Sequence, residues 1–213
     1  MEPESFDAVV LAGGSGSRLG GADKASVEVG GVPLLLRVLH ALSDAGRIVV
    51  VGPRRHLPAP SEVMWAREHP SGGGPAVALA AGLDALHPPS GPGSVPGVAP
   101  RDLDVVVVLA ADLPFVERRT VEKLVAAARK HDGALLVDEG GRDQYLAGAY
   151  RAAAVSVRLT ERPGASMRAV LEDLDLVRVH AGRAALDCDT WEDVEAARAL
   201  MSDGRARSSG PGH

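Results

Sequence analysis

The stretch Val9-Val10-Leu11-Ala12-Gly13-Gly14-Ser15-Gly16-Ser17-Arg18-Leu19-Gly20-Gly21-Ala22-Asp23-Lys24 decides how the rest of the chain is read. The apolar run 6–12 predicts a buried strand. It empties into a loop with five glycines in nine residues, at 13, 14, 16, 20 and 21. Glycine lets backbone N–H groups approach an anion without a Cβ in the way, and successive N–H groups in a turn form an anion-binding concavity. Arg18 and Lys24 add two fixed cations, which suit a polyphosphate better than a neutral ligand. Two familiar phosphate loops do not fit. No Gly-Lys pair is present, as a P-loop requires, and a dinucleotide fingerprint counted from Gly14 finds Leu19 where its third glycine belongs. That failure sets aside a nicotinamide-dependent oxidoreductase.

The remaining sequence bounds the class. A chain of 213 residues suits one α/β domain, expected over 1–201, with a polar, Gly/Ser-rich, disordered tail over 202–213. Net charge is −5, with only two each of Trp, Tyr and Phe, so neither a basic field nor a stacking platform for nucleic acid is expected. The lone Cys188 excludes an internal disulfide and a multi-cysteine metal site. It suits a cytoplasmic protein, as does the acidic opening MEPESFD, which lacks a basic and apolar leader. No apolar run approaches the roughly 18 residues of a membrane span.

Short apolar runs alternate with amphipathic, helix-length stretches, the pattern of βαβ units around a parallel sheet. The expected fold is a Rossmann-like three-layer α/β sandwich with a mostly parallel central sheet. Strands are predicted at 6–12, 48–51, 63–67, 105–110, 134–138, 147–150 and 176–180. Helices are predicted at 33–42, 75–86, 117–130, 151–159, 166–174 and 191–201. The run 105–110 is the most hydrophobic and belongs at the sheet centre. Thr190 and Asp193 have the spacing of a capping box, with Asp in place of Glu or Gln. The Pro/Gly-rich stretch 88–100 reads as a mobile surface loop, or alternatively as a lid.

Open parallel sheets bind ligands beyond the carboxyl ends of their strands. That rule gathers the glycine loop, Gly52, the 68–69 segment and Asp112 onto one rim. Asp112 follows six apolar residues directly, at the mouth of a buried strand. One or two carboxylates suffice for Mg²⁺ when substrate phosphates and water complete its shell, although the same position could cap the helix that follows.

The pattern LAGG-x-G-x-R-hydrophobic-G-G-x-D-K over 11–24 resembles the nucleotidyltransferases that activate sugars and cofactors, most closely the molybdenum-cofactor guanylyltransferases. The resemblance extends over roughly 6–200. It implies a fold of the nucleotide-diphospho-sugar transferase type and transfer of GMP from GTP to the terminal phosphate of molybdopterin, with loss of pyrophosphate and help from Mg²⁺ or Mn²⁺. Molybdopterin-handling proteins are implied as partners. By this resemblance Leu11, Ala12, Gly13, Gly14, Gly16, Arg18 and Lys24 bind the nucleotide, with Arg18 on the β- and γ-phosphates and Lys24 over the α-phosphate. Asp112, in its Asp-x-Pro setting, takes the place of the family's metal-binding aspartate. Gly74 and Pro75 resemble the segment that approaches the base. His69 and Gly52 fall where the family has an aspartate and an asparagine, which makes His69 a candidate nucleotide-binding residue.

Asp187-Cys188-Asp189-Thr190-Trp191-Glu192-Asp193 resembles an Asn-x-Asn-Thr-Pro-Glu-Asp stretch, which makes Asp189 a second candidate metal ligand or else part of an acidic helix start. Arg142 and Gln144 resemble an acceptor-side Arg-x-Gln-Pro-Leu stretch, with Tyr145 replacing proline; a plain surface hairpin is the alternative. Guanylyl transfer to phospholactate, cytidylyl transfer to molybdopterin, and cytidylyl or uridylyl transfer to a sugar or polyol phosphate share this chemistry. A nucleotide-binding regulator without turnover is the alternative from another class.

Overall fold

In the computed structural model, residues 5–14, 20–59, 62–86 and 105–208 are described, with side chains through 203. Gly16, Arg18 and the 88–100 stretch lie outside them. The chain order is β1 (Asp7–Leu11), a hairpin of β2 (Glu28–Val29) and β3 (Val32–Pro33), α1 (Leu34–Ala41), β4 (Ile48–Val51), β5 (Val63–Ala66) and α2 (Pro75–Leu86). It continues with β6 (Val105–Ala110), α3 (Arg118–Ala128), β7 (Gly133–Val137), β8 (Asp143–Arg151), α4 (Ala152–Glu161), α5 (Met167–Leu171), β9 (Leu176–His180) and α6 (Trp191–Ser208).

Seven strands form one sheet in the order β5-β4-β1-β6-β8-β7-β9. β5, β4, β1 and β6 are parallel neighbours. β8 runs antiparallel to both β6 and β7, and β9 is parallel to β7. β6 therefore takes the central place its hydrophobicity predicts. The period of two along each strand divides the core between two faces. Ala8, Val10, Ile48, Val50, Val107 and Leu109 pack on the face of α1 and α3; Val9, Leu11, Val49, Val51, Val106 and Val108 pack on the face of α2, α4 and α5. Helices on both sides explain why these strands are continuously apolar rather than alternating.

Three elements differ from expectation. A two-residue hairpin turn joins β2 to β3, with Gly30 and Gly31 at φ 62° and 77°, the positive φ at both positions that a type I′ turn requires. Strands of two residues are too short to show periodicity. β8 begins at Asp143 rather than 147, because Asp143 and Gln144 pair with Val137 and Leu136 beyond a β-bulge. α6 continues through Ser208 instead of ending at 201; Met201 packs against the small cluster of Val29, Leu34 and Val194, and the helix runs on beyond it.

Candidate active site

The chain leaves β1 and turns to one side, building β4 and β5, and later returns to the other side with β6. The carboxyl ends of β1 and β6 thus flank a topological switch point, where an open α/β sheet binds its ligand. The ladder runs one step past the strands. Ala12 N–H donates to Val51 O at 2.9 Å, and Ala111 N–H donates to Leu11 O at 3.0 Å. Gly13 and Asp112 emerge side by side as a result.

A cavity of about 590 Å³ opens there. Of the residues anticipated from sequence, Leu11, Ala12, Gly13, Gly14, Lys24, Gly74, Pro75, Asp112 and Asp189 line it. Gly52 lies behind the wall. Its φ is 149°, and a Cβ added there would stand 2.7 Å from Ala12 O and 3.0 Å from Gly13 N. The β4 exit can therefore press against the start of the glycine loop only with glycine at this position.

The charged centre is compact. Lys24, at the start of a short 3₁₀ turn anchored by buried Ala25, sends its ammonium between Asp112 and Asp189 and pairs with both. Asp189 is brought within reach because Cys188 N–H donates to Asp112 O at 3.1 Å, tying the 187–189 segment to the β6 exit. Thr190 and Asp193 close the anticipated capping box: Asp193 N–H donates to Thr190 Oγ1 at 3.2 Å, and Thr190 N–H donates to Asp193 Oδ2 at 2.7 Å. Burial alone would lower the Lys24 pKa, but Asp112 and Asp189 outweigh it and hold the ammonium above its ordinary value. Asp187 is pushed up, first by burial and then by the neighbouring carboxylates of Asp112 and Asp189.

Asp112 is 14% exposed. Its Oδ2 faces Lys24, while its Oδ1 is buried without a hydrogen-bond partner. An unpartnered carboxylate oxygen inside an acidic cluster fits a divalent cation. Among the described residues no three side chains of ligating type converge, so Asp112 and Asp189 would hold Mg²⁺ with substrate oxygens and water, the arrangement this ion favours.

Three of the anticipated residues stand away from this cavity. His69 is exposed and does not line the cavity; Glu68 does. The turn after β5 sets this, since Glu68 Oε1 accepts Gly72 N–H at 3.3 Å, and its carboxyl oxygens come within 3.7–3.8 Å of where a Gly13 Cβ would be. Arg142 and Gln144 also stay outside the cavity. Asp138 holds them at the β7–β8 turn, accepting Arg142 N–H at 2.9 Å and Gln144 Nε2–H at 3.1 Å. Both lie in the β7–β8 hairpin, and β8 contributes Leu146 to the cavity.

A doubly wound sheet with a glycine loop, a lysine and an acidic pair at its switch point defines a nucleotide-binding α/β protein. The chain matches the MobA-like NTP transferase domain over residues 8–179 and belongs to that family. It is 32% identical over 188 residues to the molybdenum cofactor guanylyltransferase of Rhodobacter capsulatus, covering 87% of this chain and 85% of the relative. A probable molybdenum cofactor guanylyltransferase of Natronomonas pharaonis is 28% identical over 91% of this chain and 97% of its own. Among solved structures, molybdopterin-guanine dinucleotide biosynthesis protein A of Archaeoglobus fulgidus superposes with a TM-score of 0.65 at 21% identity, over 93% of this chain and all of the other. The 2-C-methyl-D-erythritol 4-phosphate cytidylyltransferase of Thermus thermophilus gives 0.64 at 19% identity with the same coverage. The fold is that of the nucleotide-diphospho-sugar transferases.

Proposed function

We propose that this protein transfers GMP from GTP to the terminal phosphate of molybdopterin, releasing pyrophosphate. The observation that carries the reading is the Lys24 ammonium set between Asp112 and Asp189 beside the glycine loop. The acceptor is a phosphate monoester, already ionised at neutral pH, so its oxygen attacks the α-phosphorus without a general base. One P–O bond forms as the bond to pyrophosphate breaks. The residues' task is to hold two polyanions in line and offset their charge. An ammonium has three donors; two face Asp112 and Asp189, which leaves a third for an α-phosphate oxygen. Backbone N–H groups of Gly13 and Gly14 and the Arg18 guanidinium serve the β- and γ-phosphates. Mg²⁺ held by Asp112 and Asp189 would supply neutralisation of phosphate charge.

Glu68 supports guanine. Guanine offers two adjacent donors, N1–H and the 2-amino group, which one carboxylate accepts together; cytosine, uracil and adenine have no such pair on that edge. Gly74 and Pro75 line the same cavity and would pack against the base. Pyrophosphate release measured with GTP, CTP, UTP and ATP, each with molybdopterin and Mg²⁺, is expected only with GTP. Asp112→Asn should cost on the order of 10²–10³ in rate, as loss of one preorganised charged contact does. Preference for CTP, or an unchanged rate in Asp112→Asn, would overturn the proposal.

A further inference from the structure

Arg55 does not line the cavity, yet its guanidinium ties its own segment to two others around it. Nε and Nη2 donate to the two carboxylate oxygens of Asp23 at 2.6 and 2.5 Å. Nη2 also donates to Ala12 O at 3.2 Å, and Nη1 donates to Pro53 O at 2.9 Å. Ala12 is the residue at which β1 gives way to the glycine loop, and Asp23 is the last residue before Lys24. The Arg55 side chain is 11% exposed, and Asp23 Oδ2 takes a further hydrogen bond from Ser26 Oγ at 2.7 Å, inside the 3₁₀ turn that carries Lys24. A planar fork matched to a carboxylate fixes geometry as well as charge, which a lysine could not do.

We infer that Arg55 is a positioning residue for the triphosphate: it fastens the beginning of the glycine loop to its end and so sets the separation between the Gly13 amide and the Lys24 ammonium. The Lys24 contacts to Asp112 and Asp189 do not involve Arg55. Losing the fork therefore weakens capture of the triphosphate more than it slows the chemical step. The inference rests on the reading that this loop holds a nucleoside triphosphate.

The test is a double-mutant cycle on Arg55→Ala, Asp23→Asn and the pair, followed by pyrophosphate release against GTP concentration, with thermal unfolding as the measure of folding. Arg55→Ala is expected to raise KM for GTP about tenfold, the size of a lost charge-assisted contact, with kcat changed less than threefold. Asp23→Asn should act in the same direction, and the double variant should be no worse than Arg55→Ala alone, because the Asp23 carboxylate acts through the Arg55 guanidinium. Arg55→Lys should recover only part of the loss. Effects that add across the pair, full recovery in Arg55→Lys, or a fall in kcat at unchanged KM would overturn the inference. Should Arg55→Ala unfold, the Asp23→Asn and Arg55→Lys values decide alone by the same criteria. A wild-type protein that releases no pyrophosphate from any triphosphate would instead overturn the underlying reading. In that event the fork is judged by the midpoint of GTP–Mg²⁺ binding in thermal shift.

Discussion

Asp23 keeps its charge to lower pH than an ordinary aspartate, chiefly because the Arg55 guanidinium donates two hydrogen bonds to it. A carboxylate whose folded pKa is depressed contributes stability that is present above its ordinary 3.8 and is lost as pH falls through the lower, folded value. Asp23→Asn removes that contribution, so its unfolding free energy should fall less than that of the wild type as pH drops below about 4. Urea titrations at several acidic pH values check this, and parallel acid limbs in the two proteins would refute it. The pair also marks the limit of what the sequence discloses at this scale. Lys24 and Asp112 can be anticipated because one closes the glycine loop and the other stands at a strand exit, each in a local pattern with chemical meaning. Arg55 sits among PRRH, 32 residues from its partner, and no local periodicity or spacing joins it to Asp23. Glu68 is next to the anticipated His69. Only the turn geometry that hands its carboxylate to the Gly72 amide distinguishes the two.

Elements are legible in proportion to how much core they carry. β1, β4 and β6 are apolar on both faces and can be read within a residue or two, because a strand covered by helices on each side has no polar face to blur its ends. The β2–β3 hairpin carries only Val29 as a fully buried residue, and its one sequence cue is the Gly30-Gly31 pair. The start of α6 is legible for a different reason, since a capping box is local chemistry. That box has consequences beyond the helix. Thr190 directly follows Asp189, so the hydrogen bonds that fix Thr190 also fix where the Asp189 carboxylate sits. Thr190→Ala should lower stability by about 1 kcal/mol, the usual cost of an N-cap. It should also weaken metal-dependent turnover more than an equally destabilising change distant from the site. Chemical denaturation together with the Mg²⁺ dependence of pyrophosphate release measures both. A stability loss with an unaltered Mg²⁺ response would show that the cap serves the helix alone.

At the scale of the whole molecule, the parallel half of the sheet carries the cavity and β8 joins it to the other half. Tyr150 sits at that seam, fully buried, with Val106 of β6 on one side and Gly133 of β7 on the other. Its ring covers two glycines. A Cβ at Gly133 would stand 2.6 Å from Tyr150 Cδ1, and one at Gly148 2.5 Å from its Oη, so neither position has room for a side chain while the ring is there. The hydroxyl donates to Tyr145 O at 2.9 Å. Burial, reinforced by Tyr145 and Asp143, pushes the phenol well above its ordinary 10.0. The folded chain thus keeps this proton where the unfolded chain loses it. The stability Tyr150 contributes is whole below pH 10 and declines as pH rises above it. Tyr150→Phe keeps the ring over both glycines but leaves the Tyr145 carbonyl without its donor, at a cost of about 1 kcal/mol near neutral pH. Above pH 10 the variant should lose stability less steeply than the wild type, so the two unfolding curves should converge. Nucleotide binding should be unchanged throughout, because the hydroxyl faces the seam rather than the cavity. Unfolding in urea from about pH 8 to 11, with thermal shift by GTP and Mg²⁺ at neutral pH, separates the outcomes. Alkaline limbs that stay parallel would mean the buried phenol does not govern the seam, and a lost nucleotide response would mean that β8 transmits strain into the site.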